Sequence, residues 1–441
     1  MKIPEILLVE SEHRPGSLAK ILQVIGDAGL VVEHLNSVRR DQDKTVWEVT
    51  LEMDEEADHG LIARIDALPN ARVLGRSDRV FNRHEGGKIR MVSTTPISSL
   101  QVLRDIYTPG VARVCLAIRK DPSLARRYTN INSTVAIVTN GTAILGLGDI
   151  GPLAGLPVME GKAALFANLV GISGVPILIE ETNPERIADI VTAIAPSFGA
   201  IQLEDIASPA CFRVERLLIE RLDKPVLHDD QHGTAVVTLA ALINATRRVG
   251  ADLLASTVGQ IGLGSAGIGI VRLLQRYGVR RILGADLNPE AIARLERYGG
   301  RGASLETLMA AADIVIATTG VRGLIRPELV RKGQIILALS NPDAEIEPVA
   351  ALERGAAFAA DGKGINNVLG FPGLFRGALD AGVPRFSVAM LLAAAKTIAD
   401  HATEPDLVPD PLDLAVHAAV TAAVREAALA SAGDPVSVGD A

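Results

Sequence analysis

From about residue 135 onward the chain alternates short apolar runs with longer amphipathic ones, and that alternation restricts it to folds built on parallel sheet. VAIVT at 135–139, VPILIE at 175–180, AIQLED at 200–205 and KPVLHD at 224–229 are strand-length and apolar at consecutive positions. Strands buried on both faces read this way, and joining them in parallel requires a crossover, usually a helix. The intervening stretches supply it: Pro184 after Asn183, for example, marks a capped helix start. Residues 386–431 are alanine-rich and read as helices closing the fold. A chain of 441 residues has material for about three domains. Its 48% hydrophobic and 22% charged content predicts packed cores.

The first 82 residues follow a different rule. A short strand, EILLV at 5–9, and a polar turn from Ser11 to Gly16 precede a helical stripe at Leu18, Ile21, Leu22 and Ile25. VVEHLNSVRR and TVWEVTLEM then face each other across Asp41–Lys44, followed by a helix near Asp58–Leu68 and a last strand, ARVLGRSDRV. The order βαββαβ predicts a ferredoxin-like two-layer sandwich. NRHEGGKIR at 82–90, with its paired glycines, reads as a linker.

Two segments fit the pattern G-x-G-x-x-G: GLGDIG at Gly146, Gly148 and Gly151, and GLGSAG at Gly262, Gly264 and Gly267. A dinucleotide fingerprint needs a strand before it, a helix opening within it and an acid at the end of the next strand. Only the second has all three. STVGQI precedes it, Ile270, Leu273, Leu274 and Tyr277 form a helical stripe, and RRILGAD ends in Asp286. Its glycines let the backbone approach a pyrophosphate at the helix N-terminus, while Asp286 accepts from the ribose hydroxyls. That carboxylate repels a 2′-phosphate, so NAD is expected over NADP; Arg280 and Arg281 at the other end of the strand keep the alternative open. GLGDIG reads as a close backbone turn, with Pro152 expected to prevent a helix from starting there.

Ligands of open parallel sheets gather at the carboxyl ends of the strands, and four acids fall there: Glu204, Asp205, Asp229 and Asp230. Carboxylates repel one another and resist desolvation unless a cation neutralises them, so a divalent ion with oxygen ligands, Mg2+ or Mn2+, is expected. Each pair taken alone also fits a helix cap or solvated loop. His228 and His232 in HDDQH have the H-x-x-x-H spacing of a zinc hydrolase. They share a face only on one helix, whereas KPVL reads as strand and Asp229 or Asp230 as the cap of a helix near Gly233. Lys162 in PVMEGKAALF opens an apolar helix, where desolvation would lower its pKa and free an amine to act as base; a lysine snorkelling past that helix is the alternative. Tyr107 in YTPG fits either chemistry or an interface.

The formal net charge of −8 gives no global basic excess to hold nucleic acid or anionic lipid and leaves only local patches for such a role. The two cysteines, Cys115 and Cys211, have no paired spacing, and no run reaches the 18 or so apolar residues of a membrane span. With no signal peptide or membrane anchor read at the N-terminus, a cytoplasmic location is expected.

Taken together, YTPGVA, ILGLGDIGPLAGLPVMEGKAALF, LEDI, HDDQHGTA, GLGSAG, LSNP and INNVLGFPG resemble the malic enzymes in order and approximate spacing, over about residues 95–385. The segment ESEHRPGSLAKILQVIGDAGLVVEHLNS resembles an ACT domain, a regulatory module; a ligand carboxylate at the turn Arg14–Gly16 is one reading and dimerisation without ligand the other. The resemblance implies a bacterial-type NAD-dependent malic enzyme behind an ACT domain, and four parts: 1–82 regulatory, 83–225 substrate and catalytic, 226–385 NAD-binding Rossmann-type, 386–441 C-terminal helices. It implies oxidative decarboxylation of (S)-malate to pyruvate and CO2. In that scheme Lys162 is the base at the C2 hydroxyl, polarised by Asp229. Glu204, Asp205 and Asp230 hold the metal, and Tyr107 protonates C3. Asn341 touches nicotinamide or substrate, and Asn367 a substrate carboxylate. A homodimer or higher oligomer is expected. The chain departs from the family pattern at Ala143, where larger members carry a malate-gripping arginine, and at the short DGKG of Asp361–Gly364. Two competing outcomes are a malolactic enzyme, which releases lactate and retains its nucleotide, and a non-catalytic ACT-linked nucleotide sensor.

Overall fold

The computed structural model describes residues 2–54, 60–77, 79–144, 146–341 and 344–431, in two compact units, Met1–Lys88 and Ile89–Ala441. In the first unit strands Lys2–Glu12, Val31–Arg40, Lys44–Asp54 and Ala71–Arg76 form one antiparallel sheet, in the spatial order second, third, first, fourth. The period of two along the strands puts Leu7, Val9, Val49 and Leu51 on one face. Helices Ser17–Asp27 and Leu61–Asp66 cover it with Ile21, Ile25, Leu61 and Ile65, all buried. This is the expected ferredoxin-like sandwich. The stretch read as a linker begins inside a short helix, Arg79–His84.

The second unit holds two parallel sheets. Ser173–Leu178, Thr134–Thr139, Ala200–Leu203 and Val226–His228 lie side by side in that order. The other sheet runs Arg301–Gly302, Arg281–Ala285, Thr257–Ile261, Ile314–Ala317, Ile335–Ala338, Phe358–Asp361, which is the 3-2-1-4-5-6 order of a Rossmann fold. Strand Val226–His228 completes the first of these sheets, so a border between residues 225 and 226 runs in front of that sheet's last strand. Helix Asp229–Val249 follows it without a loop and is buried over most of its length. It packs on the Rossmann helix Ser265–Tyr277 and on Val388–His401, tying both sheets and the C-terminal helices to one element.

Two local expectations change. Pro152 does not block a helix but opens one, Pro152–Val170, because a first-turn proline has no N–H to lose there. GLGDIG remains a turn, with Gly146, Gly148 and Gly151 at φ 75°, 73° and 78°. Lys162 accordingly stands in the middle of that helix and not at its start. The helix is long and apolar enough to cross a bilayer, yet it carries Glu160 and Lys162 and buries Met159, Ala163 and Phe166 in the protein core. Phe166 meets Phe371 and Phe375 edge-on, with ring centroids at 4.9 and 5.5 Å. Phe166→Ala is expected to cost about 3–5 kcal/mol of stability, read as a lowered urea midpoint.

Candidate active site

The strand order of the smaller sheet reverses between Thr134–Thr139 and Ala200–Leu203, and ligand crevices form where loops leave in opposite directions. Glu204 and Asp205 follow the second of these strands, and Asp229 and Asp230 begin the helix after the neighbouring strand. Helix Pro152–Val170 brings Lys162 to them. Its ammonium donates to Asp229 Oδ2 and lies 3.1 Å from Glu204 Oε1, with side-chain exposures of 11%, 0% and 4% for Lys162, Asp229 and Glu204. The Phe371 ring sits 4.4 Å beneath the charge.

This arrangement overturns the expected effect on the lysine. Burial does act to lower its pKa, but Asp229, Glu204 and Asp230 outweigh it and raise the value above the ordinary lysine range. Desolvation was legible in the apolar helix; the carboxylates come from segments 42 and more residues away. In this geometry Lys162 is an ammonium.

Three carboxylates, Glu204, Asp205 and Asp230, each place an oxygen within 4.8 Å of the others. Burial, then repulsion from Asp230, pushes the Asp205 carboxyl up to about 8, and burial raises Glu204 well above its ordinary range. Asp205 Oδ2 is buried without a hydrogen-bond partner. Such a set fits a divalent cation: it concentrates hard oxygen donors, and only a positive charge restores their ionised forms. Among the described residues no cluster with histidine has metal-ligand spacing, so the zinc alternative has no site.

Backbone contacts hold these acids in place. Asp205 has φ 52°, the one positive φ outside glycine among the described residues. Its N–H donates to Asp230 Oδ2 at 3.1 Å, its carbonyl accepts the Ala143 N–H at 3.1 Å, and the Ala207 N–H donates to the Thr142 hydroxyl at 2.9 Å. Ala143, which lacks the arginine of larger members, thus serves through its backbone. Gln202, fully buried, donates to Glu204 Oε2 at 2.6 Å. It shares a strand face with Glu204, a period-two signal the sequence contained.

Asn367 donates to Asp229 Oδ2 at 2.8 Å, so its amide nitrogen steadies the lysine's partner where a substrate contact was expected. Asn341 follows strand Ile335–Ala338 and donates to the Gly362 carbonyl at 3.2 Å. Buried Glu345, not singled out from the sequence, fixes the loops around it by accepting from Thr319 N–H at 2.6 Å and from the Ser340 hydroxyl at 2.6 Å. Tyr107, at the end of helix Leu100–Ile106, is 69% exposed and makes none of the hydrogen bonds of the lysine cluster.

The fingerprint GLGSAG forms the turn from Thr257–Ile261 into helix Ser265–Tyr277. Gly262 has φ 85°, and a Cβ on Gly267 would lie 2.0 Å from the Gly262 carbonyl, so both need glycine. The first turn of the helix has no acidic residue and no side-chain cap, leaving N–H groups for a phosphate. Asp286 reaches back onto this turn, accepting from Leu263 N–H at 2.7 Å and Asn288 N–H at 2.8 Å. It directly follows the second strand of the Rossmann order, the position at which folds of this type carry an acid for the ribose.

Similarity to known proteins agrees with this layout. Residues 86–219 match the family model "Malic enzyme, N-terminal domain", 6–70 the "ACT domain", and 229–324 the "D-isomer specific 2-hydroxyacid dehydrogenase, NAD binding domain". The chain is 54% identical to NAD-dependent malic enzyme 1 of Bacillus subtilis over 426 residues, 96% of this chain and 97% of that one. It is 39% identical to the bifunctional malic/malolactic enzyme of the same organism, over 78% of this chain and 90% of that one. The crystal structure of malic enzyme from Pyrococcus horikoshii superposes with a TM-score of 0.76 at 38% identity, covering 82% of this chain and 93% of that one. With likeness this high along nearly the whole of both chains, and with the acids, the lysine and the nucleotide turn in one unit, the chain belongs to the malic enzyme family.

Proposed function

We propose that this chain oxidatively decarboxylates (S)-malate to pyruvate and CO2 with reduction of NAD, and that the Lys162 cluster is where it does so. The observation that carries the reading is the buried contact of Lys162 with Asp229 and Glu204 beside three carboxylates of metal-ligand spacing. Glu204, Asp205 and Asp230 would hold Mg2+ or Mn2+, which when bound supplies Lewis-acid polarisation of the C1 carboxylate and C2 oxygen of malate. Gly262, Gly264, Gly267 and Asp286 would hold NAD, with Asn341 as a contact to it or to the substrate, and NAD when bound would supply the two-electron acceptor.

The chain's own groups then move protons. Part of the negative field that keeps Lys162 charged comes from the carboxylates of the cation site. Lys162, once its ammonium proton has passed to solvent, takes the proton of the C2 hydroxyl as the neutral amine, with Asp229 as its hydrogen-bond partner. Asp229, itself anchored by Asn367, holds the amine toward the substrate. After CO2 departs, Tyr107 donates a proton to C3. A small effector at the ACT domain belongs to the same reading, supported by Gly16 at φ 86° ahead of an uncapped helix start without acidic residues. A cytoplasmic setting is supported by two free cysteines, one exposed.

A homodimer or larger homo-oligomer is supported by residues 91–116, where Met91, Val92, Ile97, Leu100 and Leu116 are all more than 60% exposed and neither helix Leu100–Ile106 nor helix Val111–Lys120 buries a residue. That many exposed apolar side chains in one stretch support a subunit interface there. Tyr107 lies within it.

Three outcomes test this reading. With malate, NAD and Mn2+, pyruvate and NADH should form in equal amounts, and EDTA should stop turnover until Mn2+ or Mg2+ is restored; lactate without net NADH would indicate the malolactic reaction, and full activity after chelation would count against the metal site. A Cβ on Gly233 would sit 2.0 Å from Asp229 Oδ1, so Gly233→Ala should lower kcat at least about 100-fold with the circular dichroism spectrum unchanged. Light scattering should give a dimer or larger species, and mixing inactive Lys162→Ala with inactive Tyr107→Phe should restore turnover if Tyr107 serves a partner's cluster; no recovery would assign the pair to one chain.

A further inference from the structure

The two histidines of HDDQH and the buried glutamate beside them, Glu215, take no part in the chemistry above. Glu215 lies on helix Ala210–Arg221 and is 3% exposed. Its Oε1 accepts the backbone N–H of His228 at 2.8 Å, and its Oε2 accepts from the Gln231 side-chain amide at 3.1 Å. His232 Nε2 stands 3.0 Å from Oε1 and 3.2 Å from Oε2. Burial acts to raise this carboxyl, but His232, His228 and Arg272 outweigh it and hold it at about 2, so Glu215 is ionised.

Three of the five residues from 228 to 232 are therefore tied to one carboxylate. The two that are not are Asp229, which turns to Lys162 and Asn367, and Asp230, which turns to the Asp205 N–H. The strand ends at His228 and the helix begins at Asp229, a junction with backbone donors that neither element satisfies. Glu215 takes one of them. On the other side, the Gln231 carbonyl rests against Gly269 of the nucleotide-binding helix, where a Cβ would lie 2.3 Å from it. His228 Nε2, unpartnered by any hydrogen bond, stands 3.5 Å from Asp230 Oδ2.

We propose that Glu215 is a positioning residue for the reaction: it fixes the strand-to-helix turn at 228–232 so that Asp229 meets Lys162 while Asp230 meets Glu204 and Asp205 around the cation. The inference rests on the malic enzyme reading of this site. Without the anchor the turn rotates, and both acids lose their partners together, since they are consecutive on one first turn. A role confined to stability would lower the melting temperature and leave the folded fraction with the metal affinity and kcat of the wild type.

The test uses the full-length Glu215→Gln enzyme, with free Mn2+ measured by electron paramagnetic resonance in the absence of malate and NAD. The expected result is Mn2+ affinity weakened at least tenfold and kcat lowered at least tenfold, with KM for NAD within about threefold of wild type. A folded Glu215→Gln chain with Mn2+ affinity and kcat within twofold of wild type overturns the proposal. If Glu215→Gln does not fold, the same measurement is made on Gln231→Leu, which removes one of the three anchors: a loss of threefold or more in Mn2+ affinity and kcat supports the proposal, and a smaller one overturns it. A wild-type chain that neither binds Mn2+ nor turns over malate would instead sink the reading of the site itself, and is distinguishable from either result.

Discussion

A lysine ammonium buried among carboxylates is the interaction on which the rest of this structure depends. Four acids cannot share a desolvated crevice unless positive charge is shared among them, and Lys162 supplies one unit of it through Asp229 and Glu204. The remaining imbalance shows in Asp205 and Glu204, whose carboxyls are driven toward their neutral forms. A divalent cation held by Glu204, Asp205 and Asp230 would correct that imbalance.

Precision in such a cluster has to come from the backbone. Asp205 occupies a positive φ held by contacts on both sides, and the Asp229–Asp230 turn is formed where a strand passes into a helix with no intervening loop. Each is stabilised by side chains from elsewhere: Thr142 and Asp230 for the first, Glu215 for the second. Helix Asp229–Val249 then carries the turn into the packing of the Rossmann sheet and the C-terminal helices. The Lys162 cluster and the glycine turn are thereby joined through one buried helix.

Pro152 and Lys162 differ from their local reading for related reasons. Proline is hostile to a helix interior but suited to its first turn, and the positive-φ glycines before it set the entry angle. A lysine in an apolar helix reads as a base with lowered pKa until the charges that surround it in space are counted.

By itself the sequence determined the parts whose signals are local or periodic. These are the βαββαβ front domain, the parallel α/β body, the strand–glycine–helix turn ending in Asp286, and the position of Glu204, Asp205, Asp229 and Asp230 at strand ends. Periodicity and turn chemistry are written in neighbouring residues, so they can be read without coordinates. The tertiary structure alone decided which charges meet: that Lys162 faces Asp229 and Glu204, that Asn367 steadies Asp229, that Glu215 gathers His228, Gln231 and His232, and that Tyr107 stays exposed within one chain. Coulomb energy and desolvation depend on distance in space and on burial, and residues 13 to 138 positions apart along the chain carry no local trace of either.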